Sequence, residues 1–212
     1  MKQTYIRPEK IRIEDIVRDI YDFSKPGVIS IPEFLTPKAI KDLVNASRLN
    51  ADLFIEVPRY EGTAEQEMET LYLDKTPQSQ LSIESLPIIN KFITEYQEIY
   101  KKIAKEAKFN ESDFNKIGFH RYPKGSLGIT PHQDYESHIN LISIFNLIGD
   151  AKFYYCEDKD KTNSQETDIS PGSLTLLRAP RNKNEEQYRP YHYIEPMKNE
   201  RLSLNVRKKY YG

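Results

Sequence analysis

The sequence predicts an α+β fold in which helices pack against one face of an antiparallel sheet or sandwich. Apolar residues recur at helical spacing through the first half of the chain. From about Lys116, short β-type segments separated by turn residues replace them. The 212 residues, of which 38% are hydrophobic, suffice for one domain, 1–212, with a helical part at 1–115 and a strand-rich core at 116–212.

Three helices and one strand are predicted in the first half. They are an amphipathic helix from Ile13 to about Phe23, a strand Val28–Ile31, a helix from Pro37 to about Arg48, and a long helix from Pro87 to about Lys105. Thr36 is placed to cap the second helix, and Pro37 suits its first position. The long helix carries an apolar stripe that we expect to face the core.

Six short strands are predicted in the second half. They are Ile117–Tyr122, Asn140–Ile148, Lys152–Cys156, Ser173–Leu177, Tyr191–Ile194 and Arg201–Arg207. Turn residues such as Pro123-Lys124-Gly125 and Pro171-Gly172 separate them. The polar segment Glu157–Asp168 is expected to form a mobile loop.

Composition limits the classes of function. A net charge of −1 provides no general attraction to nucleic acid or to an anionic membrane. No stretch approaches the roughly twenty apolar residues that span a bilayer, and the N-terminal residues do not resemble a secretory signal. A single cysteine, Cys156, cannot form an internal disulfide. We therefore expect a cytoplasmic protein that does not insert into membranes.

A pair of metal-capable residues stands out in the second half. His132 and Asp134 are two residues apart, and on an extended backbone such residues project from the same face. His192 is the best candidate for a third ligand from another strand. Two histidines and one carboxylate form the facial triad of non-haem iron oxygenases. The alternative is a surface turn in which Asp134 caps a neighbouring group and His132 is solvated.

The segment Arg201–Arg207 alternates strictly between apolar and polar residues. Such a strand ordinarily turns its polar face to water. The alternative is that the polar face lines a pocket, where the planar guanidinium of arginine can bind a carboxylate through two hydrogen bonds.

The stretch from Gly118 to the C terminus resembles the AlkB-like branch of the iron(II)/2-oxoglutarate-dependent dioxygenases. The matching motifs are Arg121-Tyr122-Pro-Lys-Gly125, His132-Gln-Asp134, Pro171-Gly172, Tyr191-His192 and Arg201-x5-Arg207, in the family's order. The resemblance implies a double-stranded β-helix, or jelly roll, with N-terminal helices packed against one sheet. It also implies iron(II), 2-oxoglutarate as cosubstrate, and dioxygen.

Carried over to this chain, the resemblance assigns His132, Asp134 and His192 as iron ligands. The implied cosubstrate contacts are Arg201, Arg207, Tyr122, Ser203, Asn205 and His120. Arg201 would pair with the distal carboxylate of 2-oxoglutarate with help from Tyr122, and Arg207 would lie near the iron-bound end. His120 stands where such enzymes commonly have asparagine, so it either replaces that contact or is a core histidine.

Residues that follow the metal motif are the candidate substrate contacts. They are Glu136, Tyr135, His138 and Tyr154. The chain has no tryptophan, and no segment matches the aromatic hairpin that AlkB repair enzymes close over a flipped base. Pro58-Arg59-Tyr60 is at most a remnant of their substrate loop.

Three functions are consistent with these residues. The first is hydroxylation of a small molecule, with succinate and carbon dioxide as co-products. The second is oxidative demethylation of alkylated nucleic acid, and the third is a catalytically silent binding domain. The complete triad and both arginines oppose the third, whereas the charge and the lack of tryptophan favour the first over the second.

Overall fold

The computed structural model describes residues 4–62, 64–73, 81–109, 113–181 and 189–210. Within these ranges there are three α-helices: α1 (Ile13–Tyr21), α2 (Pro37–Arg48) and α3 (Pro87–Ala107). The same ranges contain thirteen strands: β1 (Val28–Ile31), β2 (Ile55–Glu56), β3 (Tyr60–Glu61), β4 (Ala64–Glu65), β5 (Glu69–Tyr72), β6 (Lys116–Tyr122), β7 (Ile129–His132), β8 (His138–Ile148), β9 (Phe153–Cys156), β10 (Gln165–Thr167), β11 (Leu174–Arg178), β12 (Tyr191–Ile194) and β13 (Arg201–Lys209).

The strands form two main antiparallel sheets. The larger has seven strands in the order β1-β11-β8-β13-β6-β5-β2, and the smaller has four in the order β10-β9-β12-β7. Strands β3 and β4 form a separate hairpin. One apolar cluster contains residues of both sheets, including Ile144 of the larger and Phe153 of the smaller. The two sheets therefore face each other, as in a jelly roll.

The helices cover the other face of the larger sheet. Helix α1 packs on β1 and β11, α2 packs on β8, and both contact α3. Phe92 and Tyr96 of α3 lie edge-on to Phe145 of β8, with ring centroids 4.8 Å apart in each pair. The expected packing of N-terminal helices against one sheet is confirmed.

Strand β13 is buried on both faces because it lies between these two layers. Leu202, Leu204 and Val206 belong to the core under the helices. The alternating polar residues Arg201, Ser203 and Asn205 are buried as well, on the face toward the smaller sheet. The polar face of this strand therefore points inward.

The described strands before residue 116 correct the expectation of a helical part at 1–115. Strand β5 pairs with β6 and extends the larger sheet, and β2 forms its edge. These strands are only two to four residues long, too short for period-two alternation to be recognised.

Strand β7 was also absent from the expected strands. It has four residues and contains Pro131, which the edge of a sheet tolerates because no neighbour needs its missing N–H. Gly128, just before it, has a φ of +76°, and a Cβ there would lie 2.3 Å from the Ile194 carbonyl oxygen. Glycine thus permits the close approach of β7 and β12.

The segment Glu157–Asp168, expected to be a loop, contains strand β10 (Gln165–Thr167), and its earlier residues hydrogen-bond to one another. Asp158 accepts from the amides of Asp160 and Thr162. The Lys161 ammonium lies 4.4 Å from the Tyr193 ring centroid, so the segment covers the outer face of the smaller sheet.

No helix among the described residues is long and apolar enough to cross a membrane.

Candidate metal and cosubstrate site

A cavity of about 600 Å³ opens between the two sheets. Its wall includes ten of the thirteen site residues proposed from the sequence: His120, Tyr122, His132, Asp134, Tyr135, Glu136, His138, His192, Asn205 and Arg207. Arg201 and Ser203 lie on the same face of β13 as Asn205 and are buried. The fold therefore gathers residues from strands that are far apart in the chain.

The two candidate histidine ligands are directly opposite each other on neighbouring strands. His132, the last residue of β7, pairs in register with His192 of β12. Their ring centroids are 4.3 Å apart. The Phe153 ring stacks on His192 from the other neighbouring strand, with 5.6 Å between centroids. The antiparallel register thus brings two imidazoles to one place in the cavity.

Each imidazole has one nitrogen committed to the backbone. His132 Nδ1 lies 2.9 Å from the Thr130 carbonyl oxygen, and His192 Nδ1 lies 3.3 Å from that of Pro190. A carbonyl only accepts, so each Nδ1 carries the proton and each Nε2 keeps its lone pair. Burial lowers the pKa of His132, and burial together with His132 lowers the pKa of His192 to about 3. Both rings are therefore neutral, as metal ligands must be.

Asp134 lies just beyond the end of β7, and its carboxylate is buried among cationic and imidazole groups. Its Oδ1 is 3.4 Å from Arg207 Nη2 and 3.6 Å from His138 Nδ1, and its Oδ2 is 3.5 Å from His192 Nε2. Burial alone would raise its pKa, but Arg207 and the two histidines hold the pKa well below its usual range. The carboxylate is therefore ionised.

The donor set fits a divalent metal in its chemistry. Asp134 Oδ2 is buried and accepts no hydrogen bond, which is unusual for a buried carboxylate oxygen unless it binds an ion. Over the described ranges, no three His, Cys, Asp or Glu side chains already converge on one point as in a metal-bound centre. His132, Asp134 and His192 are nonetheless neighbours: the two imidazole centroids are 4.3 Å apart, and Asp134 Oδ2 lies 3.5 Å from His192 Nε2.

Arg201 is a buried cation without a carboxylate partner among the described residues. Its side chain donates to Asn146 Oδ1 at 2.7 Å and to Ser203 Oγ at 3.4 Å, while its Nε has no hydrogen-bond partner. The guanidinium carbon lies 5.4 Å from the centroid of the Tyr122 ring. Burial lowers the pKa of Arg201, yet a guanidinium stays charged in proteins. An anionic ligand would supply the missing charge.

Asn205 and His120 continue this polar face toward the candidate ligands. Asn205 lies on β13, and its Nδ2 is 3.1 Å from Nδ1 of His120 on β6. His120 is buried, and this burial, together with Arg207 and Arg201, holds its pKa well below the usual value. It is a neutral imidazole on the cavity wall and not a solvated residue.

Glu136 and Tyr135 lie at the cavity mouth. The Glu136 side chain is 78% exposed and pairs with Arg189 at 3.0 Å. Strand β7 ends at His132, so the alternation of side chains along a strand does not set the direction of Glu136. Tyr135 donates to Glu61 of the β3–β4 hairpin at 2.7 Å, which places that hairpin beside the mouth.

His138 and Tyr154 have opposite positions relative to the cavity. His138 is 2% exposed, beside Asp134, and neither ring nitrogen makes a hydrogen bond to a described residue. Tyr154 stacks on Tyr193 at 5.0 Å and donates to Glu166. It lies on the outer face of the smaller sheet, because its neighbours Phe153 and Tyr155 share the face of His192. Tyr154 is thus placed away from a substrate in the cavity.

Neither Arg189 nor the β3–β4 hairpin was expected from the sequence to belong to the site. Arg189 Nη1 donates to the Asp134 carbonyl oxygen at 2.6 Å. Tyr60, the end of Pro58-Arg59-Tyr60, begins the hairpin, whose Glu61 and Gly62 line the cavity. Arg189 lies outside any recognised motif, so nothing in the sequence marks it as a site residue. Strands of two residues are too short to show the alternation by which a strand is predicted.

No protein-family model matches the sequence, and no curated protein is significantly similar to it. Solved structures nonetheless share its fold. A prolyl-4-hydroxylase from Pseudomonas putida superposes with a TM-score of 0.69 at 14% identity, covering 95% of this chain and 100% of that one. A Trichoplax adhaerens prolyl hydroxylase, solved with a hypoxia inducible factor peptide fragment, has a TM-score of 0.62 at 12% identity, with 95% of each chain covered.

A third structure is an oxidoreductase of the 2OG-Fe(II) oxygenase family from Burkholderia pseudomallei. It has a TM-score of 0.59 at 13% identity, covering 98% of this chain and 94% of that one. These similarities do not single out the AlkB-like branch that the sequence motifs resemble. The mixed fold, the facing antiparallel sheets and the helices on one side are shared with these three structures.

Proposed function

We propose that this protein is an iron(II)- and 2-oxoglutarate-dependent dioxygenase that hydroxylates a small-molecule substrate and releases succinate and carbon dioxide. The observation that carries this proposal is Arg201. Arg201 is 3% exposed and has no carboxylate partner among the described residues, and a buried charge is costly unless it is paired. In the fold that these oxygenases share, one carboxylate of a dicarboxylate cosubstrate would form an ion pair with Arg201.

His132, Asp134 and His192 would hold the iron, with Arg207 and His138 keeping Oδ1 of Asp134 away from it. Iron(II) bound there would supply the activation of dioxygen that side chains cannot provide. Arg201 would orient 2-oxoglutarate by binding its distal carboxylate. The Tyr122 ring would interact with the Arg201 guanidinium through a cation–π contact. Ser203, Asn205 and His120 would complete the polar wall beside the cosubstrate.

The cavity supports a small substrate. Its volume of about 600 Å³ lies in the usual range of roughly 300–1,000 Å³ for small-molecule sites. Tyr135 and Glu136 at the mouth and His138 deeper in the wall would contact the substrate.

We also propose a cytoplasmic location, because iron(II) and the buried free thiol of Cys156 both persist in a reducing compartment.

A prolyl residue in a peptide is the second candidate substrate. It is favoured by the two prolyl hydroxylases among the structural neighbours, one of them in complex with a peptide fragment. Demethylation of alkylated bases, the alternative from the AlkB-like motifs, is opposed by the net charge of −1, since phosphate binding depends on Lys and Arg. Sub-micromolar oligonucleotide binding that falls steeply with salt would reverse this order.

The proposed function is tested by succinate release from 2-oxoglutarate. The purified protein, supplied with iron(II), is assayed alone and with panels of small amines and acids, proline-containing peptides and alkylated nucleosides. We expect iron-dependent succinate that rises with one panel and is absent in Asp134→Ala. A wild-type protein that binds metal and 2-oxoglutarate without releasing succinate under any condition would instead be the catalytically silent binding domain.

A further inference from the structure

We infer that Arg189 is a positioning residue that fixes the Asp134 backbone relative to His192, an inference that rests on the proposed iron site. The starting point is the end of β7. His132 is its last residue, so Asp134 lies outside the ladder of backbone hydrogen bonds that holds His132 against β12. Something other than the sheet must hold the candidate carboxylate ligand.

Arg189 provides that support through both ends of its guanidinium. Nη1 donates to the Asp134 carbonyl oxygen at 2.6 Å, and Nη2 donates to Glu136 Oε1 at 3.0 Å. Gln133 returns a bond from its side-chain amide to the Arg189 carbonyl oxygen at 2.6 Å. The planar fork of arginine suits two acceptors on one loop, whereas lysine presents a point charge. The loop after β7 is thus tied to the segment before β12 in both directions.

The same segment also orients the opposite histidine. The carbonyl oxygen of Pro190, the next residue, lies 3.3 Å from His192 Nδ1. One short stretch, Arg189 to His192, therefore sets the backbone of one ligand and the ring of another. Because Arg189 contacts the carbonyl of Asp134 and not its carboxylate, its role is to place the ligand and not to bind metal.

The test compares cobalt(II) binding by Arg189→Met, Arg189→Lys and a matched control. The control is Arg121→Met, since the Arg121 side chain is 26% exposed against 20% for Arg189 and is also paired with a glutamate, Glu69, but lies outside the cavity. Cobalt(II) reports both affinity and, through its visible spectrum, ligand geometry. Loss of groups that orient metal ligands typically costs about 10- to 100-fold in affinity.

We expect Arg189→Met to bind cobalt(II) at least about tenfold more weakly than wild type and with an altered spectrum. Arg189→Lys should be intermediate, and Arg121→Met should match wild type. If Arg189→Met does not fold, Arg189→Lys decides the question by the same two readouts. Melting temperatures without metal are measured alongside, because a purely structural role would lower them and leave the spectrum of the saturated protein unchanged.

The iron site and the positioning role of Arg189 would be contradicted by different results. If wild type does not bind cobalt(II), or Asp134→Ala binds it equally well, the proposed iron site is wrong. If wild type and Asp134→Ala behave as expected but the Arg189 variants bind like Arg121→Met, only the positioning role is overturned. Unchanged spectra in both Arg189 variants overturn it equally.

Discussion

At the scale of single residues, the candidate site contains three buried charged side chains, Asp134, Arg207 and Arg201, whose charges do not balance. Asp134 and Arg207 form one ion pair at 3.4 Å. Arg201 is left with neutral partners, Asn146 and Ser203. Side-chain amides and hydroxyls satisfy its donors in part, but they do not compensate its charge. The positive charge of Arg201 is therefore buried at a cost in stability, which a bound carboxylate would offset.

The first prediction concerns Arg201. Arg201→Ala should weaken 2-oxoglutarate binding by about 2–5 kcal/mol, the usual cost of losing one partner of a buried charged pair. That corresponds to roughly 30-fold or more, measured by calorimetry with manganese(II) present. Arg201→Lys should also bind more weakly, because an ammonium cannot reproduce the fork. An unchanged dissociation constant in Arg201→Ala would exclude the role.

The second prediction concerns the three candidate ligands. His132→Ala, Asp134→Ala and His192→Ala should each lose most bound metal, since neighbouring groups do not replace a direct ligand. Metal content after dialysis is the measurement. Tyr154→Ala is the control, because its side chain is on the outer face of the smaller sheet. Retention of iron by His192→Ala would mean that the third ligand lies elsewhere.

At the scale of elements, the site depends on the pairing of β7 with β12. The pairing is short, with His192 opposite His132, Ile194 opposite Ile129, and an irregularity between them. Gly128 allows it, since the carbonyl oxygens of Ile194 and Glu195 occupy the space that a Cβ would need. The edge position of β7 accommodates Pro131 in the same four residues.

The third prediction tests that close approach. Gly128→Ala and Gly125→Ala both place alanine at positive φ, at +76° and +84°, but a Cβ added at Gly125 would meet no atom within 4 Å. Both variants should lose about 1–2 kcal/mol for the left-handed backbone, and Gly128→Ala should lose about 1–3 kcal/mol more for the clash. Urea unfolding of the two variants measures the difference. Equal losses would show that β7 can move away from β12 at little cost.

At the scale of the whole molecule, two cores of different character enclose the larger sheet. The helix side is a continuous apolar core that contains Phe92, Tyr96 and Phe145. The side toward the smaller sheet has a smaller apolar cluster and gives the remaining space to the cavity and its charges. The apolar core on the helix side stabilises the larger sheet. The side toward the smaller sheet can therefore contain buried polar groups that lower stability.

The fourth prediction follows from this division. Manganese(II) and 2-oxoglutarate, each at about 100 times its dissociation constant, should each stabilise the protein by about 2.7 kcal/mol. For a domain of this size, each should raise the melting temperature by roughly 5–10 °C. Differential scanning calorimetry is the measurement, with Asp134→Ala as the control that should lose the metal-dependent part. The same shift in that variant would place the metal elsewhere.

Much of the fold could be predicted because long elements carry a period. Helix α3 and strand β13 were expected almost to their observed bounds, since their apolar residues repeat at the helical and strand spacings. Strands β2 to β5, β7 and β10 were not expected, because two to four residues display no clear period and these segments carry fewer β-branched and aromatic residues than the equally short β1, β9 and β12. The alternation of apolar and polar residues in β13 fits an exposed polar face equally well. The inward orientation of its polar residues could therefore be predicted only with the family resemblance.

The sequence by itself determined which side chains are available: two histidines and an aspartate that could bind a metal, two arginines on one face of a strand, and helices before strands. Only the tertiary structure decided which groups meet. It placed His132 opposite His192, exposed Glu136, turned Tyr154 outward and brought Arg189 to the Asp134 carbonyl. The physical reason is that spacing along the chain sets the direction of a side chain only within one element. Distances between elements follow from register and sheet packing, which the whole chain determines.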